Sequence, residues 1–169
     1  MADFNPAFEK VIQEEGGYQL TDIPGDRGGQ TYAGIARIPN PDWAGWQHID
    51  RKDFGAATPL VREFYKTHFW DRVRGDEIKD QAIAETIFNF GVNTGVGVAI
   101  KLAQLIVGVT PDGALGPKTV ERLNICTAEK FLPAYALAKI QRYVNICMKD
   151  RSQSKFLLGW IRRSLGGLK

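Results

Sequence analysis

Glu15 is followed at once by Gly16-Gly17-Tyr18, and the next sixteen residues bring Asp22, Asp26, Arg27, Gln30 and Thr31. Acid-catalysed cleavage of a glycosidic bond needs these residue types: a protonated carboxyl on one side, a carboxylate or a held water on the other. Successive helical residues are about 100° apart. Phe4, Phe8, Val11 and Glu15 therefore share one face of a first helix, the face a surface helix turns to its core. A carboxyl held there, at the negative end of a helix dipole, is expected to have a raised pKa, as a general acid requires. Asp22 and Asp26 are the competing partners, because a polar Gly-rich loop keeps a carboxylate ionised while an apolar site keeps one neutral. Either Asp could equally be a turn former, and Gly28-Gly29 could admit a ligand to the backbone or simply turn the chain.

The surrounding elements read as mostly helical. Asp3 can cap a helix running to about Glu15 and stopped by Gly16-Gly17. Residues 18–23 and 31–38 read as two short strands, a small hairpin with a long loop. Residues 39–58 read as irregular, with Thr58-Pro59 opening the next helix. Further helices are expected from Asp80, over about 96–107, from Gly116-Pro117 to about Leu123, over about 128–149, and around Phe156 to Trp160. Trp43, Trp46, Tyr32 and Phe69-Trp70 could line a saccharide cleft or fill the core. Asn89 and Asn93, four residues apart, could bond sugar hydroxyls or cap helix ends.

The 169 residues, 44% apolar and 24% charged, suit one compact domain, with residues 1–80 carrying the acid and the loop and residues 81–169 the central helices. No apolar run is long enough for a transmembrane helix, and no secretory signal opens the chain, which predicts synthesis in the cytoplasm, no stable membrane insertion, and release to the wall by another system. Cys126 and Cys147 read as buried apolar residues, not a disulfide framework. His48 and His68 lack metal-ligand spacing, so neither a metal nor a cofactor is expected. Serine occurs only at 152, 154 and 164, which disfavours serine-nucleophile hydrolysis and, with the histidine inventory, a peptide-cleaving amidase. The charge is uneven. Residues 1–121 carry 12 basic and 17 acidic side chains, whereas residues 122–169 carry 10 basic and 2 acidic. Such an end attracts an anionic polymer or surface, yet no basic run of five marks a nucleic-acid tail, and no nucleic-acid partner is expected.

Several motifs together resemble a known family. Glu15-Gly16-Gly17-Tyr18, followed by Asp22-x3-Asp26-x-Gly28-Gly29-x-Thr31-x2-Gly34-Ile35, resembles the opening of glycoside hydrolase family 108. That family comprises lysozyme-like N-acetylmuramidases of phage endolysins and of bacterial proteins often labelled secretion activators. Phe88-Asn89-Phe90-Gly91-Val92-Asn93-Thr94-Gly95 resembles its middle motif. Asp112-Gly113-Ala114-Leu115-Gly116-Pro117-Lys118-Thr119 and Gly159-Trp160-Ile161-x-Arg163 resemble its predicted peptidoglycan-binding region. The resemblance implies a mainly α, lysozyme-like fold with a small β-hairpin beside the cleft. It also implies cleavage of the β-1,4 bond between N-acetylmuramic acid and N-acetylglucosamine in peptidoglycan. By that likeness Glu15 is the acid, and Asp26 with Thr31 steadies the transition state or positions water, with Asp22 a competitor. Tyr18, Asp22, Gly28, Gly29, Tyr32, Asn89 and Asn93 become candidate substrate contacts. A non-catalytic wall-binding or secretion-accessory protein and a lytic transglycosylase remain alternatives; a monomer is the expected state.

Overall fold

The computed structural model describes residues 1–22 and 28–166. The chain forms two compact units, residues 3–71 and residues 72–169 together with Met1–Ala2.

The first unit begins with α1 (Phe4–Glu14), whose cap Asp3 accepts from the Asn5 N–H at 2.9 Å. Its buried residues are Phe4, Ala7, Phe8, Val11 and Ile12. This is the expected stripe, widened by Ala7 and Ile12 but without Glu15, which lies one residue past the helix and is exposed. The inward-facing Glu15 of the sequence reading is thus corrected. A Schellman closure accounts for it. The Gly17 N–H donates to Ile12 O at 2.8 Å and the Gly16 N–H to Gln13 O at 3.2 Å, with Gly16 at φ 87°. That closure needs a left-handed residue immediately after the cap, so glycine at 16 ends the helical twist before Glu15 completes the buried face.

Three two-residue strands follow, β1 (Leu20–Thr21), β2 (Thr31–Tyr32) and β3 (Ile35–Ala36), antiparallel in the order β1-β2-β3. Leu20 faces Tyr32, and Tyr32 faces Ile35. The single strand expected over 31–38 is split, because Ala33 and Gly34 both have positive φ, 48° and 79°, forming a two-residue hairpin turn. The expected irregular stretch 39–58 also holds more order than predicted: α2 (Gly45–Asp50) and the start of α3 (Phe54–Tyr65) lie within it. Asp53, not Thr58, caps α3 by accepting from the Ala56 N–H at 3.2 Å. Thr58-Pro59 sits inside the helix, where the Thr58 hydroxyl donates back to Phe54 O at 3.1 Å. A π-helical turn over Lys66–Trp70 extends α3. Phe4, Phe8, Tyr65 and Trp70 pack ring against ring, with centroids 5.4–5.7 Å apart.

The second unit is built on α4 (Gln81–Thr94), capped by Asp80 accepting from the Ile83 N–H at 3.0 Å. Ile83, Ala84, Ile87, Phe88, Phe90 and Gly91 are all buried, so this helix is central, as its sequence predicts. It packs on α5 (Val96–Ile106) and α7 (Ala128–Lys149). Tyr135 of α7 donates its hydroxyl to Ala99 O of α5 at 2.9 Å, giving a buried polar group its partner. Between α5 and α7 lies α6 (Pro117–Ile125), and α8 (Leu157–Leu165) closes the unit. Cys147 is buried as expected, whereas Cys126 is only half-buried at the end of α6, correcting that reading.

Gln104 is 1% exposed and clasps the loop that leads into α6. Its amide nitrogen donates to Asp112 Oδ1 at 2.8 Å and Ala114 O at 3.0 Å, and its oxygen accepts from the Gly113 N–H at 2.9 Å. The Ala114 N–H and then Gln104 hold the Asp112 carboxyl below its ordinary pKa. A depressed folded-state pKa contributes stability that is present above the unfolded value and lost as pH falls through the folded one. Gln104→Leu is expected to destabilise the protein by about 2–3 kcal/mol, since several polar groups of the clasp lose their partner. Thermal unfolding checks this, and the deficit should narrow in acid, where wild type has lost the charged Asp112 acceptor.

Candidate functional site

The Ala33-Gly34 turn organises the neighbourhood of Glu15. Tyr65, reaching from the end of α3, donates its hydroxyl to Ala33 O at 2.9 Å within the protein interior. A methyl group added to Gly34 would overlap Tyr65 Oη and lie 3.1 Å from both Cγ and Oε2 of Glu15. Glycine at 34 therefore meets two demands, a left-handed φ and room for a phenol and a carboxylate on the same side. Burial first, and the Glu15 carboxylate second, push the Tyr65 pKa far above the ordinary phenol value. Tyr65 is accordingly a neutral donor, its single proton committed to the turn that flanks Glu15. Glu15 itself is anchored through its backbone, whose N–H donates to Val11 O at 2.9 Å. The result is an exposed carboxylate on a rigid mount, set by a helix terminus on one side and a hairpin turn on the other.

The other candidates in the first unit lie along the same sheet. Asp22 is exposed just after β1. Thr31 opens β2 opposite Thr21 and donates weakly to Gly29 O at 3.5 Å. Gly28 and Gly29 are half-buried, and Gly28 O accepts from the Ile38 N–H at 3.0 Å. Tyr18 is 39% exposed, with its ring 6.5 Å from that of Tyr32. Burial raises the Tyr18 pKa, aided by Glu9 and Tyr32 and opposed by Arg62, so it too is a neutral phenol. Asp26 lies outside the described residues.

Tyr32 does not present a surface. It is 1% exposed and stacks on Trp43 and Phe54, so its proposed substrate contact is corrected to a core role. Trp46 and Trp70 are likewise core: Trp46 donates its indole N–H to Asn40 O at 2.8 Å, and Trp70 has no exposed surface. Trp43 and Phe69 are half-buried.

Asn89 and Asn93 belong to the second unit, both half-buried on α4. The Asn93 amide donates to Asn89 O at 2.8 Å and to Asn89 Oδ1 at 3.2 Å, and its oxygen accepts from Arg163 of α8. The pair thus ties α4 to α8, and it caps neither helix; Gly95 ends α4 without a side-chain cap.

Sequence reasoning passed over Tyr65 and Gly34 as contributors to the Glu15 site. Tyr65 was legible only as one more apolar residue on its helix, 32 residues along the chain from its acceptor at Ala33. A short-range cue did exist at 33–34: a small residue and a glycine between Tyr32 and Ile35 fit a two-residue hairpin turn.

With this geometry in place, comparison with known proteins assigns both halves of the chain. Residues 8–95 match the family model described as glycosyl hydrolase 108, and residues 98–165 match the model described as a predicted peptidoglycan domain. Brucella abortus SagA, a solved structure, aligns over 96% of this chain and 94% of its own at 22% identity, with a TM-score of 0.67. At that identity the likeness establishes the fold, which is mainly α and lysozyme-like, with its small antiparallel sheet. No curated protein sequence matches the chain. The extent of the first match makes this chain a member of the glycosyl hydrolase 108 family, and the region that follows matches the predicted peptidoglycan domain.

Proposed function

We propose that the protein is an N-acetylmuramidase that hydrolyses the β-1,4 bond between N-acetylmuramic acid and N-acetylglucosamine in bacterial peptidoglycan. The observation that carries the reading is the carboxyl of Glu15, on an exposed residue and set between the end of α1 and the Ala33-Gly34 turn. A family of glycoside hydrolases and a peptidoglycan domain on the same chain support it.

In this mechanism Glu15 hands its proton to the glycosidic oxygen as the bond breaks, and the departing sugar leaves as an alcohol. Positive charge develops on the muramic acid ring. Asp26, or Asp22 in its place, stabilises that charge, Thr31 holds water for attack at the anomeric carbon, and the proton the water releases passes to a carboxylate of the site. Tyr18 offers a ring edge and a neutral hydroxyl to the glycan. The Tyr65 hydroxyl acts on the reaction only indirectly, by fixing the turn against which Glu15 rests.

The test is digestion of purified sacculi followed by mass spectrometry of the soluble fragments. Hydrolysis adds one water per cut and leaves reducing N-acetylmuramic acid ends, which is the expected outcome. Anhydro-ended fragments would instead assign a lytic transglycosylase, and free amino groups an amidase. Sacculi that bind the protein without losing turbidity would reassign it as a wall-binding accessory.

A further inference from the structure

The inner side of α8 is fully used, and its outer side is not. Trp160 stacks on Tyr143 of α7 with centroids 4.7 Å apart, while Ser164 is buried with its hydroxyl bonded to Trp160 O at 2.9 Å. On the opposite side Leu158, Arg162 and Leu165 follow at i, i+4 and i+7, one helical stripe. Leu158 is 64% exposed and Leu165 45%, and Phe156, at the end of the 3₁₀ turn leading into the helix, is 47% exposed. Arg162 lies within the stripe, Lys155 sits over the Phe156 ring with its Nζ 5.0 Å from the centroid, and exposed Arg151 opens the same 3₁₀ turn, whereas Arg163 is turned to Asn93 of α4. Asp150 and Glu129 are the only acids between residues 122 and 169.

Single exposed leucines are ordinary on protein surfaces. A short amphipathic helix that combines a leucine stripe, a phenylalanine and adjacent cations is a narrower pattern. Cations alone would suit any polyanion, whether nucleic acid or an acidic wall polymer. Those partners offer no apolar phase in which Phe156, Leu158 and Leu165 could be buried. An anionic bilayer satisfies both halves at once, taking the apolar side chains below its headgroups and pairing Arg and Lys with its phosphates. No described helix is long and apolar enough to cross a membrane, so the contact is peripheral.

We propose that the outer face of α8, with Phe156 and the neighbouring cations, docks on the surface of an anionic phospholipid membrane. Such docking holds the protein at the bilayer without spanning it. The proposal is independent of the role given to Glu15, because the vesicles that test it contain no glycan.

The experiment is co-sedimentation of the full chain with phosphatidylcholine vesicles, with and without phosphatidylglycerol, read beside thermal unfolding. Wild type is expected to bind the anionic vesicles at least about tenfold more tightly than the neutral ones. Leu158→Asn should weaken that binding about tenfold and Arg162→Gln about fivefold, with unfolding temperatures close to wild type. Equal binding to both vesicle types would overturn the proposal, as would variants that bind like wild type. Absence of vesicle binding, with retention on DNA or acidic wall polymer that Arg162→Gln weakens and Leu158→Asn does not, would assign the face to a polyanion instead.

Discussion

Glu15→Gln is expected to lower the rate of wall clearing by about 10²–10⁴-fold while wall binding persists. The amide keeps the size and polarity of the carboxyl but has no acidic proton to deliver to the leaving oxygen. The fold should be indifferent to the change. Glutamine keeps the shape of the side chain and leaves the backbone bond to Val11 O in place, so unfolding should shift by no more than about 1 kcal/mol. Turbidity of isolated sacculi, pelleting with the same sacculi and thermal unfolding together separate catalysis from binding and from stability. Clearing at the wild-type rate would mean that another group is the acid.

Gly34→Ala should damage stability and activity together. The added methyl must sit at φ 79°, and it collides with Tyr65 Oη while pressing on Cγ and Oε2 of Glu15. Left-handed backbone and overpacking sum to roughly 2–5 kcal/mol. Whatever relaxation accommodates the methyl must move the turn, the phenol or the catalytic candidate itself. Tyr65→Phe provides the matching control. Alone it costs about 1–2 kcal/mol, because Ala33 O loses its buried donor. Combined with Gly34→Ala it removes the atom in collision, so the double variant should be less destabilised than the two single changes summed. Denaturant unfolding of the four proteins gives the coupling directly. Strict additivity would show that Tyr65 and Gly34 do not share the space that mounts Glu15.

Sequence and structure contributed different parts of this site. Local chemistry was readable from the chain: Asp3 as a helix cap, the start of α4 at Asp80, the limits of α7, and Gly16-Gly17 as a helix stop. Each rests on interactions within a few residues, which a linear pattern records. The family could also be read in the motifs around Glu15, Asn89 and Asp112. Burial could not. Glu15 falls on the apolar face by helical arithmetic, yet a Schellman closure ends the helix one residue early and leaves it exposed. Tyr32 and Trp46 carry the residue types of a sugar cleft and lie in the core, because ring packing among Trp43, Phe54 and Trp46 absorbs them.

The amino-acid order by itself determined the helical class and the family, since these follow from periodicity, capping and motif order. Only the tertiary structure decided that Tyr65 and Gly34 shape the mount of that carboxyl, that Asn93 serves Arg163, and that one side of α8 carries exposed leucines among cations. Those pairings join residues about 30 to 70 positions apart, or depend on which helix face its neighbours already cover, and no local spacing encodes either.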